Sequence, residues 1–207
     1  MRRMILLAMV VWLLAAPGQT LAQSIDGLWD QAQAPEIPQI NVVQANPAST
    51  ALLVLDIEEL TCNAARRPRC LDTVPRIAEL IRRAREAGLP VVYSLTPKMT
   101  PILDLVVPKK SEPIVASSVD KFWDTDLEKI LQDLGVDTVI VTGTAAHGAV
   151  LHTATAAGFR GLKVLLPVDC LSAADLYTEQ ATVQLLLTGP GTRRVISLTR
   201  SDLITIQ

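Results

Sequence analysis

The sequence predicts a three-layer α/β/α domain, doubly wound around a mainly parallel six-stranded sheet with helices on both faces. Three observations carry that expectation. Short, solid apolar runs recur along the chain, the pattern of strands buried on both faces. Stretches with apolar residues at helical spacing lie between them. Glycine or proline marks most junctions, so strand and helix alternate as a parallel sheet requires. There is no internal repeat.

The first strand is read at 51–56 (Ala-Leu-Leu-Val-Leu-Asp). A helix follows at about 74–87, with Val74, Ile77, Ala78, Ile81 and Ala84 on one face. Asp72 or Thr73 can cap it, Pro75 suits its first turn, and Gly88 ends it. The second strand is 91–95. A proline-containing excursion over 96–113 leads to a short third strand at 114–116. Thr125 heads a helix that runs through Leu134 and stops at Gly135. Strand four is 138–142, and the helix after it, about 148–157, closes at Gly158. Strand five is 162–166, followed by a helix at 176–187 and a last strand at 195–198.

The first 22 residues read as a leader. Arg2-Arg3 forms a basic stub, Met4 to Ala16 is apolar, and Pro17-Gly18 breaks the run before small residues ending at Ala22. The apolar run is too short to span a bilayer, and Gln23 stands where a lipid-anchored protein would need cysteine. The chain is therefore expected to be exported, to a periplasm or beyond, with cleavage near Ala22 and no membrane association afterwards. Residues 23–50, with Pro35, Pro38 and Pro47, read as an extended arm, and 51–207 as the domain. Such an arm either packs across a neighbouring subunit of a homo-oligomer or stays an unstructured leader.

Removing residues 1–22 takes Arg2 and Arg3 from 19 basic residues and none from 21 acidic ones, leaving 17 against 21, a net charge of −4. With few aromatics and no basic cluster, nucleic acid is excluded as a partner, since it demands lysine and arginine to neutralise phosphates. The expected partner is a small molecule.

Export changes how the three cysteines read. In an oxidising compartment Cys62 and Cys70 can pair and close a short loop, leaving Cys170 over, although the other two pairings stay open. In a doubly wound sheet, ligands collect at the carboxyl ends of strands near the switch in strand order. The residues to examine there are Asp56, Ala116, the turn 143–149 and Asp169. The turn opens a helix, so it has main-chain N–H groups free for an anion or oxyanion.

These residues resemble the isochorismatase-like hydrolase superfamily over about 51–198. Leu53-Val54-Leu55-Asp56 resembles its first strand with a terminal aspartate, and Phe122-Trp123-Asp124-Thr125-Asp126-Leu127 its F-x-x-T-x-L stretch. Val139 through Gly143, then Val150 through Ala154, resembles the fourth strand and following helix; Gly161 through Asp169 resembles the fifth strand and its acid. The resemblance implies a site built from an aspartate, a lysine and a nucleophilic cysteine, with backbone N–H groups as the oxyanion hole. Asp56 keeps its place. The lysine position, nine residues before Thr125, is Ala116, and the cysteine position is Ala149. A cysteine-dependent amidase is therefore not expected.

A subfamily of vinyl-ether hydrolases also lacks the cysteine, and Ala146-His147-Gly148-Ala149 resembles its turn. There an acid protonates the enol ether and water attacks the resulting cation. Asp56 serves as that acid if burial raises its pKa.

The resemblance thus implies Asp56 as general acid or base, with Gly148 and Ala149 amides as donors and His147 and Ala116 beside the ligand. Lys121 reads first as a surface charge, but a register slip within 109–121 places it, or Lys110, in the pocket. Glu58 and Glu59 either share a proton with Asp56 or belong to a solvated loop, the reading preferred here. His147 is expected to hydrogen-bond within its turn. It lies five residues from His152, off a common helical face, so no metal is expected, and no cofactor. Cys170 reads as a buried inert thiol, with a displaced nucleophile as the alternative. Two functions stay open: a cysteine-free hydrolase, or a relative that only binds a small molecule or a partner protein.

Overall fold

The structure, a computed structural model, describes residues 24–207; the expected leader lies outside the described residues. The chain divides into Met1–Glu36 and Ile37–Gln207. The described part of the first unit is a 3-10 helix, Ile25–Gln31, and an irregular stretch after it. The second unit holds everything else.

In chain order its elements are β1 (Val43–Ala45), β2 (Thr50–Leu55), α1 (Pro68–Glu86), β3 (Val91–Leu95), β4 (Ile114–Ala116), α2 (Leu127–Asp133), β5 (Thr138–Thr144), α3 (Leu151–Phe159), β6 (Lys163–Pro167), β7 (Leu171–Ser172), α4 (Leu176–Thr188), β8 (Ile196–Thr199) and β9 (Ile204–Ile206). The main sheet is parallel throughout, in the order β4-β3-β2-β5-β6-β8, and β7 extends the pairing of β5. It therefore has seven strands, not six, because the two residues of β7 are too few to show a period in the sequence.

Alternation along the strands divides the core into two layers, as a period of two demands. Leu52 and Val54 point to one face, against Val74, Ile77, Leu80, Ile81 and Ala84 of α1. Ala51, Leu53 and Leu55 point to the other, against Leu127 and Leu131 of α2, Ala154 and Ala157 of α3 and Leu186 of α4. That is the expected three-layer, doubly wound arrangement.

Two expectations along the chain need correction. Residues 37–50 are tied to the domain and are not simply an arm. β1 pairs in parallel with β9, and Asn41 bonds Leu198 and Thr199 beside β8. Helix α1 begins six residues before the expected start, with Pro68 at its first position, where a missing N–H is harmless. Pro75 sits inside the helix on its exposed face.

The strand order reverses between β2 and β5, which carry Asp56 and the 143–149 turn at their carboxyl ends. Leu55 and Gly143 face each other there. Gly143 has φ +120°, and a Cβ on it would lie 2.1 Å from the Leu55 carbonyl oxygen, so only glycine lets the two strands close up beside Asp56.

Candidate active site

Asp56 ends β2 with φ 54°, a left-handed conformation that aspartate tolerates better than most residues. Its N–H donates to the Ser94 carbonyl at 3.0 Å, and its own carbonyl accepts the Thr61 hydroxyl. The bend turns the carboxyl out of the strand and onto the floor of a cavity of about 570 Å³. Oδ1 accepts the Ser94 hydroxyl at 2.9 Å, and Oδ2 lies 2.8 Å from Lys121 Nζ. Asp56 is 4% exposed and Lys121 not at all.

Lys121 is buried beside Asp56 without lining the cavity, and Lys110 is exposed on the surface. After β4 the chain coils back. Ser117 bonds the carbonyls of Asp120 and Trp123, and Lys121 N–H donates to Thr153 Oγ1 of α3 at 3.2 Å. Phe122 is buried in the core beneath the Arg160 guanidinium, 4.4 Å from the ring centre. The ammonium then meets the carbonyls of Leu95, Ser117 and Ser118 at 3.2, 2.8 and 2.6 Å. With Asp56, four acceptors surround three N–H donors, an arrangement that suits a charged amine. Ala116, by contrast, ends β4 paired with Leu95 and does not line the cavity.

Burial holds the Asp56 carboxyl above the ordinary carboxylate range. Desolvation outweighs the opposing pull of the Lys121 ammonium and the Ser94 hydroxyl, and Glu58 nearby adds to the rise. A buried acid that retains its proton more readily than usual can donate it to substrate.

Glu58 is not in a solvated loop. It is wholly buried, and its carboxylate accepts Thr96 N–H at 2.8 Å, Thr100 N–H at 2.7 Å and the Thr100 hydroxyl at 2.9 Å, which fixes the loop after β3. Glu59 is exposed. Asp169 accepts the Ser201 N–H and hydroxyl and lies away from the cavity.

Residues Ala146–Val150 form a single π-helical turn before α3; the Thr144–Ala145 peptide is cis. His147, Gly148 and Ala149 line the cavity. The N–H groups of Gly148 and Val150 both donate to the Ala145 carbonyl, at 2.9 and 3.2 Å. Gly148 is therefore already engaged, contrary to expectation, and Ala149 is the expected donor that this carbonyl leaves alone. The His147 side chain is exposed and makes no hydrogen bond among the described residues, so it does not tie the turn together as expected.

Cys62 and Cys70 form the disulfide, with Cα atoms 5.3 Å apart, and the loop they close brings Arg66 and Arg67 to the cavity. Replacing both cysteines by serine is expected to cost about 2–3 kcal/mol, seen as a lower denaturant midpoint, since a loop this short closes with modest entropy. Cys170 is buried against α1, away from the cavity, and burial first, with Asp169 second, pushes its thiol up to about 12. It is no displaced nucleophile. Sequence reasoning missed Ser94, Thr61, Thr153, Lys98 and the two arginines as site residues. Only the disulfide loop hinted at any of them.

A doubly wound sheet with a buried acid–lysine pair at its switch point, and a turn after β5 lining the same cavity as the acid, defines an α/β protein with a small-molecule cavity. The chain belongs to the isochorismatase family: residues 50–197 match the isochorismatase domain. It is 30% identical over 115 residues to a secreted isochorismatase effector, Isc1, of Verticillium dahliae, covering 49% of this chain and 60% of that protein. It is 30% identical over 163 residues to a streptothricin hydrolase of Streptomyces noursei, covering 72% and 62%. The chain thus spans about three-fifths of the length of these curated relatives. Among solved structures, a cysteine hydrolase from Pseudomonas syringae pv. phaseolicola superposes with a TM-score of 0.70 at 20% identity, covering 81% of this chain and 95% of that one. An N-carbamoylsarcosine amidase from Thermoplasma acidophilum gives 0.65 at 24% identity, covering 74% and 97%.

Proposed function

We propose that this protein is an exported hydrolase of a small molecule that works without a cysteine nucleophile. The observation that carries the reading is Asp56, which lines the cavity together with Ala149 and is paired at 2.8 Å with Lys121 buried behind it. A lysine and an aspartate built together by four separate chain segments are costly to bury, and a pocket that only binds ligand has little need of them. The chemistry that fits is proton transfer. Asp56 gives its proton to the carbon of an enol ether, and Lys121 steadies the carboxylate left behind. Water adds to the oxocarbenium ion and returns a proton to Asp56, and the resulting hemiketal breaks its C–O bond to release an alcohol and a carbonyl compound. Export is supported by the disulfide, which persists in oxidising compartments, and by the basic and apolar leader pattern.

Purified protein offered vinyl ethers, amides and esters is expected to hydrolyse a vinyl ether, with the same rate after iodoacetamide treatment and in Cys170→Ser. Loss of activity on alkylation would restore a thiol mechanism. Ala149 is the one observation that favours a binding module instead, and ligand binding without hydrolysis of any of the three classes would establish that role.

A further inference from the structure

We propose that Arg66 and Arg67, carried on the loop closed by the Cys62–Cys70 disulfide, form with Lys98 an anion-binding subsite, so that the ligand of this cavity is a small organic carboxylate. The inference deepens the proposed function and rests on the same cavity being the working site. Three cations line that cavity, Arg66, Arg67 and Lys98, against a single carboxylate, Asp56, that Lys121 already neutralises from below. The chain as a whole is acidic, so the cavity's sign is opposite to that of the protein. A concave site with one sign of charge focuses its field on what enters.

Within the protein the two arginines have few partners, Arg66 standing exposed at the rim and Arg67 half-buried. Among the described residues, Arg66 donates from one nitrogen to the Leu60 carbonyl at 3.3 Å, and Arg67 from one nitrogen to the Thr61 carbonyl at 3.0 Å. Neither has a carboxylate within ion-pair distance among those residues, whereas Arg69 on the same loop pairs with Glu179 at 2.7 Å. Each guanidinium carries five N–H donors in a planar fork that matches a carboxylate. Arg67 is half-buried; burial, then the neighbouring Arg66, lowers its guanidinium below the usual value, while Asp56 pulls the other way. A bound anion would relieve that repulsion.

Arg66 and Lys98 are exposed at the rim and Arg67 is half-buried, but the backbone that carries all three is held in place. The disulfide and the Cys62 N–H bond to the Glu58 carbonyl, 2.9 Å, fix the arginine loop. The Glu58 carboxylate fixes the loop that bears Lys98. Leu60, Pro97, Val119 and Ala145 supply apolar wall for the body of the ligand. The geometry is that of a charged head held at the mouth with its reacting part lowered toward Asp56.

The test compares benzoate with benzamide, which share shape and differ in charge, by calorimetric titration of the intact protein. Benzoate is expected to bind at least about tenfold more tightly, and Arg67→Gln or Arg66→Gln to remove most of that preference while leaving benzamide unchanged. The Cys62→Ser, Cys70→Ser double variant is expected to weaken benzoate several-fold, because its arginines are no longer positioned. Equal affinity for the two probes, or a preference that survives both arginine variants, overturns the subsite. Turnover does not enter this readout. Asp56→Asn, which ends the proposed hydrolysis, should keep or strengthen the benzoate preference, so failure of the reaction and failure of the subsite appear separately.

Discussion

Asp56→Asn is expected to lower kcat/KM by roughly 10²–10⁴-fold, the usual worth of a positioned proton donor or acceptor, with little change in ligand affinity. Asparagine keeps the volume, and its oxygen can still accept the Ser94 hydroxyl that now bonds Oδ1. Lys121 keeps three carbonyl partners for its three N–H groups, which offset part of the cost of losing its counter-charge, so folding is confirmed by circular dichroism before rates are compared. What disappears is the proton. Asp56 has its pKa raised above the ordinary 3.8, so the protonated form persists to higher pH than in a solvated aspartate. A reaction that needs Asp56 as acid runs fastest below that raised pKa and declines as pH climbs through it. A reaction that needs the carboxylate as base does the reverse. A pH–rate profile whose falling limb vanishes in Asp56→Asn, leaving only flat residual activity, identifies the acid role. A rising limb through the same range would make Asp56 a base and point to water attack on an acyl group instead.

The fold was legible because its signals are local. Apolar runs at 91–95 and 114–116 coincide with β3, buried along its whole length, and with the edge strand β4, whose Val115 alone is buried. The short β1, β7 and β9 have too few residues for a period and owe their pairing to neighbours far along the chain. The start of α1 was hidden because Pro75 looks like a first-turn proline, while the true start is set by Pro68 next to the disulfide. At the site, Asp56 could be read from its place after an apolar strand. Lys121 could be found only as an alternative, because the coil after β4 has no repeat from which to count. Ser94, Thr61, Arg66 and Arg67 are ordinary polar residues in sequence and become site residues only when β2, β3 and the disulfide loop converge.

Lys121→Met is expected to cost about 3–5 kcal/mol at neutral pH and above, because it strands a buried carboxylate without its cation. At this chain length that corresponds to a fall in Tm of roughly 6–20 °C. The pH dependence is the sharper signature. Lys121 is the first of the influences that hold the Asp56 pKa down, so its removal lets burial lift that pKa further. A group whose folded pKa lies above its unfolded value contributes stability that is fully present below the unfolded value and lost as pH rises through the folded one. The unfolded value is the ordinary 3.8, so the window opens there and runs upward, and further up in the variant than in the native chain. Denaturant midpoints measured from about pH 4 to pH 8 should therefore show a gap between native and variant that widens with pH. The three carbonyls that lose their ammonium, those of Leu95, Ser117 and Ser118, supply a part of the loss that does not change with pH. Adding Asp56→Asn to Lys121→Met removes the stranded charge, so the double variant should be more stable than Lys121→Met alone at pH 8 and lose its pH-dependent part. A gap that stays constant with pH, or a double variant no better than the single one, would mean that the carboxylate and the lysine are not the coupled pair on which the proposed proton transfer depends.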